Sequence, residues 1–390
     1  MTPSKAIVIG GGIGGLAAAV GLRKVGMAVT VFERAPEICE VGAGLSLWSN
    51  AVTALRRLGL ESRITELGSP VERMQIVTAS GQVLSDLTIE ELSRRAGAPS
   101  LCVHRADLRR MLAEALELSV IRTNATCVGF EQHSDAVTAR FADGRSESGD
   151  LLLGADGIQS AIRAQLFGPS EPRYAGYTCW RGIAHVQHPD LPPGLSLFAV
   201  GRGTQVGLFH CGPGRIYWFV TQNAPAGIAD PPGGHKRAVL TAFTGWHPMF
   251  GAVIEATEES AILKNDIIDR PPIRMWGVGR LTLLGDAAHP TTPNLGQGAC
   301  QTLEDAVVLA DCLLRADGVI CGLRSYEEHR RRRTAFVTTQ SWSLGKVFQW
   351  QNPIAIWLRN RGFRTKWGHR KSLKLFEKLA TYKVPQLRGA

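Results

Sequence analysis

The stretch AIVIGGGIGGLAAAVGLRKVGMAVTVFE, from Ala6 to Glu33, decides the fold. Ala6–Ile9 is an apolar run of buried-strand type, and it enters a loop with Gly10, Gly12 and Gly15 in G-x-G-x-x-G spacing. A helical pattern follows to about Val25, and Ala28–Glu33 reads as a second strand. Gly10 permits a tight turn, Gly12 lets the backbone approach a pyrophosphate, and Gly15 lets the helix close on the strand. From Ile13 onward the helix start offers unpaired N–H groups and a partial positive charge to such an anion. Glu33 ends the second strand 18 residues after Gly15, where a carboxylate can take ribose hydroxyls. It would repel a 2′-phosphate, so the site suits FAD or NAD rather than NADP. Read as a secretory leader, the run from Lys5 to Leu22 fails: five glycines between Gly10 and Gly15 interrupt it and no convincing cleavage site follows.

Strand, glycine loop, helix and strand in that order open a doubly wound α/β domain. Helical patterns return at Asn50–Leu58 and Ala106–Leu116, and Leu151–Asp156 (LLLGAD) is another buried strand running into a turn and helix. Between Pro172 and Ile268 short aromatic strands alternate with Gly/Pro turns, as in YTCWRGIAHV, LSLFAV, TQVGLFHC and RIYWFVT. Helical patterns near Ala238–Trp246 and Pro248–Ala256 follow, and the region reads as a mostly antiparallel sheet. Leu281–Asp286 (LTLLGD) then returns to the parallel-strand style. The expected fold is α/β, with a discontinuous Rossmann-like dinucleotide domain over 1–72, 101–171 and 276–340. A mostly antiparallel substrate domain is expected over 73–100 and 172–275, and a C-terminal helical region over 341–390.

With 390 residues, 44% of them hydrophobic, the chain can bury a substantial core, and a disordered tail or small disulfide scaffold is excluded. Cys39, Cys102, Cys127, Cys179, Cys211, Cys300, Cys312 and Cys321 never form C-x-x-C, so they read as small core residues of a reducing, cytoplasmic compartment with no metal site. No uninterrupted apolar stretch is long enough to span a membrane. The net charge of +10 is unevenly placed: sixteen Lys and Arg against three Glu lie between Arg324 and Arg388. Trp342, Phe348, Trp350, Trp357 and Phe363 are interleaved with those cations. Such a segment reads as an amphipathic helical tail, either packed with a solvated basic face or drawn to an anionic membrane surface. No nucleic-acid motif accompanies the charge, so nucleic acid is not an expected partner.

Two further motifs are DGIQSAIR (Asp156–Arg163) and GDAAHPTTPNLGQGACQTLEDA (Gly285–Ala306). Asp286 ends a buried run, and Gly296, Gln297 and Gly298 open a helix with Ala299, Leu303, Ala306, Val307 and Ala310 at helical spacing. With the glycine loop, these fingerprints stand in the order found in the single-component FAD-dependent aromatic hydroxylases. The chain resembles that family, which has the para-hydroxybenzoate hydroxylase fold, over essentially its whole length. GAGLSLWSNAV (Gly42–Val52), HRADL, GYTCWRG and NPIAIWLRN are similar to its zeaxanthin epoxidase, urate hydroxylase and 3-hydroxybenzoate hydroxylase branch.

The resemblance implies tightly bound, non-covalent FAD, with NAD(P)H and O₂ as co-substrates, a C4a-hydroperoxyflavin, and oxygen transfer to an aromatic, N-heterocyclic or polyene small molecule. It places Asp286 on the ribityl chain, the helix start at Gly298 against the reduced flavin edge, and Pro293 beside the ring. Arg105 would contact phosphate or ribityl, Arg34 and Val128 would flank the adenosine, and Gly44 and Leu45 the flavin. Asp156 and Arg163 would tie loops near the pyrophosphate, unless they form an internal ion pair. His289 reads as a packed or loop-fixing residue. Trp48, Trp180, Arg181, Leu208, His210, Tyr217, Phe219 and Trp246 are the expected substrate lining, with Tyr217, His210 and Arg181 as candidates for binding or proton transfer. A flavin reductase or oxidase on the same fold, or a non-enzymatic GDI-like binding protein, are the alternative readings. The oligomer is expected to be a monomer or dimer.

Overall fold

The structure is a computed structural model that describes residues 4–38 and 43–387. Cys39, Gly42 and Arg388, which entered the sequence reading, lie outside the described residues. Lys5–Ile9 is the centre of a parallel five-stranded sheet, with Ala28–Phe32 and Ile121–Arg122 on one side and Leu151–Gly154 and Leu281–Leu283 on the other. Three strands distant in sequence thus meet side by side, as their continuous apolar runs demand of a sheet buried on both faces. Helices Ile13–Lys24 and Gly298–Arg315 pack together on it. A second, seven-stranded sheet runs in the order 263–269, 173–184, 216–223, 204–210, 195–200, 73–78, 83–88. It is antiparallel except where Leu195–Val200 pairs with Arg73–Thr78.

Between these layers lies a small antiparallel sheet of Gly44–Leu47, Leu101–His104 and Ser69–Pro70. The chain closes with helices Val319–Phe348, Pro353–Arg364 and Lys366–Ala380. Helix bounds differ from the sequence reading by small shifts: Ser49–Leu58, Arg105–Glu114 and Pro248–Glu255. The largest is Gly234–Ala242, which starts four residues before the expected Ala238 because Gly233–Gly234 and the Glu259 carboxylate, accepting from the N–H groups of His235 and Lys236, begin it earlier. None of the described helices is long and apolar enough to cross a membrane.

Candidate active site

The glycine loop folds as its spacing requires. Gly10 has φ +107°, and a Cβ there would overlap the Ala155 carbonyl of the neighbouring strand end. A Cβ on Gly15 would overlap the Gly10 carbonyl oxygen, so only glycine lets the helix close on its own loop. Gly12 differs: it is the N-cap, its backbone is extended, and a Cβ would meet nothing within 4 Å. The space in front of the helix start, Ile13, is therefore open. Glu33, 8% exposed, is held by the N–H groups of Gly11 (2.7 Å) and Ala35 (2.9 Å). Arg109, also buried, donates to the Gly11 carbonyl (2.8 Å) and pairs with Glu33 at 3.3 Å. Sequence reading missed Arg109: it sits one helical turn after Arg105, and only the tertiary fold brings that turn under the loop.

The second and third fingerprints interlock. Asp156 accepts from the N–H of Ala161 (2.8 Å) at the start of the helix Ala161–Phe167, while its buried Oδ1 has no partner among the described residues. Burial raises its pKa. Arg163 forms no ion pair with it; it donates to the carbonyls of Ala287 (2.9 Å) and Ala288 (3.3 Å) and so clamps the turn that carries Asp286. The Asp286 carboxyl is reached by solvent and yet raised in pKa by desolvation, with His289 and Arg105 partly offsetting that. Gly296 is left-handed (φ +61°) and Gly298, which opens the helix, has only Thr291 near its missing Cβ, at 3.7 Å. Ala299 is half-buried behind it, Pro293 is exposed at the start of the preceding turn, and Gln297 turns its side chain away to Asn50 (3.1 Å).

A buried ionic layer that the sequence did not disclose supports this turn. His289 is 2.6 Å from Asp305, whose other oxygen takes Arg330 at 2.6 Å. Arg330 also holds Glu304 (2.6 Å), and Glu304 takes Arg333 and Asn50. Asp305 further accepts from the Gly285 N–H at 3.2 Å. His289 is thus a packed, loop-fixing residue. The layer's two arginines, Arg330 and Arg333, lie inside a run, HRRRR, that reads as a solvated face from spacing alone.

On the seven-stranded sheet, strand alternation divides the expected lining between two faces. Trp180, Leu208, Ile216 and Trp218 point into a core with helices 234–242 and 248–255, and Trp246 packs there too. His210 shares that face: its neighbour Phe209 stands opposite Tyr217, and its Nε2 meets the Leu191 carbonyl at 2.9 Å. The structure does not bring His210 to Tyr217, because a one-residue step along a strand reverses the side chain. The other face carries Tyr217, Phe219, Phe209 and Phe198, whose rings lie 5.2–6.4 Å apart. Phe198 and Phe209 were not singled out from sequence. Arg181, opposite Phe219 in register, is on this face, bonds Asn265 at 3.1 Å, and keeps its buried Nε without a partner among the described residues. Desolvation raises the Tyr217 phenol, and Arg181 nearby opposes it. Gly44 has no Cβ because one would overlap the Tyr217 ring, so the strand Gly44–Leu47 lies directly on this aromatic wall. Arg34 and Val128 lie at the surface beyond Glu33, and Leu45 is half-buried.

These residues fit FAD. The open face of Gly12, the held carboxylate of Glu33, the Asp156 Oδ1 without a partner among the described residues, the solvent-reached Asp286 and the uncrowded helix start at Gly298 would supply it a cradle of donors and acceptors. Comparison with known proteins agrees. Residues 4–179 and 266–341 match the FAD binding domain family. The chain is 41% identical over 358 residues to the aurachin C monooxygenase/isomerase of Stigmatella aurantiaca, covering 92% of this chain and 93% of that one. It is 36% identical over 328 residues to the FAD-dependent urate hydroxylase of Klebsiella pneumoniae, covering 84% and 85%. The crystal structure of Klebsiella pneumoniae HpxO complexed with FAD and uric acid superposes with TM-score 0.92 at 32% identity over 97% of both chains. Salicylate hydroxylase, 23% identical with TM-score 0.76, shares the fold. The cradle and these likenesses together place the chain in the FAD binding domain family, as an FAD-dependent monooxygenase of the para-hydroxybenzoate hydroxylase fold.

Proposed function

We propose that this chain uses NAD(P)H and O₂ to hydroxylate or epoxidise a planar, largely apolar aromatic or N-heterocyclic small molecule held against Phe198, Phe209, Tyr217 and Phe219. The observation that carries the reading is the contact between Gly44 and the Tyr217 ring, on the face of the sheet that also carries Phe198, Phe209 and Phe219. FAD, when bound, supplies the electron storage and oxygen activation. The protein's part is to hold it and to exclude water. Gly12 and the helix start receive the diphosphate, Glu33 the ribose and Asp286 the ribityl chain. Arg105, close enough to Asp286 to offset part of its desolvation, adds positive charge there. Pro293, Gly296 and the N–H groups of Gly298 and Ala299 would border its ring system.

On the substrate side four rings supply stacking surface with few polar atoms. The Tyr217 hydroxyl and the unpartnered Arg181 Nε are the polar groups available to orient a ring oxygen or nitrogen. Tyr217, protonated at neutral pH by a wide margin, acts as a donor rather than a base. The relative named for urate supports an N-heterocyclic substrate, and the phenylalanine-rich wall favours an apolar one. In this division of labour the segments 1–72, 101–171 and 276–340 carry FAD, and 73–100 with 172–275 carry substrate. A cytoplasmic location is supported by the free thiols of Cys102, Cys127, Cys179, Cys211, Cys300, Cys312 and Cys321.

The test is a yellow purified protein, substrate-stimulated NADH or NADPH oxidation in a screen of bicyclic heteroaromatics, and label from ¹⁸O₂ in the product. Peroxide alone, without labelled product, would identify an oxidase instead. Tyr217→Phe should leave flavin content intact and lower kcat/KM about tenfold, the equivalent of about 1.4 kcal/mol for one hydrogen bond to substrate; steady-state kinetics check this. Asp286→Ala should weaken flavin binding about 10- to 100-fold, as expected for a lost bond to a charged group, read from the ratio of flavin to protein absorbance after dialysis.

A further inference from the structure

The C-terminal helices Pro353–Arg364 and Lys366–Ala380 form a hairpin that is apolar on both sides. Its inner side is anchored: Phe363 stacks on Phe348 at 6.1 Å, Phe376 packs tilted against Trp48 at 5.1 Å, and buried Arg359 donates to the carbonyls of Phe348 and Gly201. Its outer side carries Ile354, Trp357 and Leu358 at i, i+3, i+4 spacing, 70%, 59% and 55% exposed, and Trp367, 70% exposed. A helix serving only the protein core would turn such residues inward. Elsewhere the exposed large apolar side chains are mostly scattered singly along the chain.

The charge on the same faces is uncompensated. Arg361 lies 5.8 Å from the Trp357 ring and Lys371 lies 5.1 Å from that of Trp367. Arg361, Lys366, Arg370, Lys371 and Lys374 meet no carboxylate among the described residues. The first helix has no acidic residue, and the Glu377 of the second faces Arg95 at 3.4 Å. A nucleic acid would take the cations and leave Ile354 and Leu358 in water. A two-fold contact with a second copy would bury the apolar residues but oppose like charges. A bilayer with anionic headgroups satisfies both, with tryptophans at headgroup depth, aliphatic side chains beneath and cations above.

We propose that this hairpin seats the protein on an anionic lipid surface. The seat lies one layer from the aromatic wall, since Phe348 packs with Phe198, but lipid binding itself does not depend on the substrate reading. The test is co-sedimentation of the flavin-loaded full chain with vesicles of mixed phosphatidylglycerol and phosphatidylcholine, against phosphatidylcholine alone. Binding is expected to the anionic vesicles only and to fall with salt. The triple change Ile354→Ser, Trp357→Ser, Leu358→Ser should cut it at least about tenfold with the flavin spectrum unchanged. Arg370→Gln and Lys374→Gln should each weaken it about fivefold, the equivalent of about 1 kcal/mol per cation near the surface. Absence of binding, binding indifferent to these residues, or a dimer in gel filtration that the triple change converts to monomer without any lipid affinity would overturn the proposal.

Discussion

Gly12→Asp is expected to yield a folded, colourless protein. The backbone at Gly12 is extended (φ −75°, ψ −178°), which any residue adopts, and a Cβ there would meet nothing within 4 Å. Gly12 is also the N-cap of helix Ile13–Lys24, a position where aspartate bonds the free N–H groups and gains a few tenths of a kcal/mol over glycine. The apo fold should therefore be as stable as before or slightly more so. The same carboxylate would occupy the place of the FAD diphosphate and repel it. Losing two charge-assisted bonds at about 1.5–3 kcal/mol each weakens flavin binding by a factor on the order of a thousand. The measurements are the visible spectrum and thermal unfolding of the apoprotein with and without the change; apo is compared with apo because bound cofactor itself stabilises. Gly15→Ala gives the contrast. Its Cβ overlaps the Gly10 carbonyl, so that variant should lose both flavin and stability. A yellow Gly12→Asp protein would remove the helix start from the binding site.

Arg330→Met should be the most destabilising single change in the ionic layer. Arg330 is fully buried and neutralises Glu304 and Asp305 at once, with further bonds to Gln301. Removing one member of a buried ionic group while its partners stay costs about 3–5 kcal/mol, measurable by urea unfolding. The pH dependence identifies the cause. Burial pushes Asp305 up, but His289 and Arg330 beside it prevail and hold its carboxyl below the usual range. A depressed carboxylate contributes stability above its ordinary pKa of about 4 and loses it as pH falls through the lower folded value. In the variant burial is no longer outweighed, the folded pKa of Asp305 rises, and protonation relieves the cost. The deficit should therefore be largest near neutral pH and shrink as pH falls toward 5. Because Asp305 also holds His289 and the Gly285 N–H, flavin content should fall with stability. A deficit independent of pH would assign the loss to packing alone.

The fold was legible where local chemistry is self-contained. The glycine spacing, the apolar runs 6–9, 151–154 and 281–283, and Glu33 after the second strand each carry their meaning within a few residues, and they fixed the parallel sheet and the dinucleotide loop. Asp156 and Asp286 were legible as motif members, but their partners were not: Arg163 reaches the carbonyls of Ala287 and Ala288, 124 and 125 positions away. A list of aromatic residues on short strands gave no register, so His210 and Trp180 stood beside Tyr217 until pairing placed them on opposite faces. Sequence by itself determined where the glycine loop turns, where its helix starts and which strand Glu33 follows, since backbone conformation, helix polarity and hydropathy act over one or two turns. Only the tertiary structure decided which side chains share a sheet face with Tyr217, which charges in the run 329–333 are buried against Glu304 and Asp305, and which apolar residues of the C-terminal hairpin remain outside. Those choices depend on contacts between distant segments, where one step of strand register or a quarter turn of helix exchanges inside for outside.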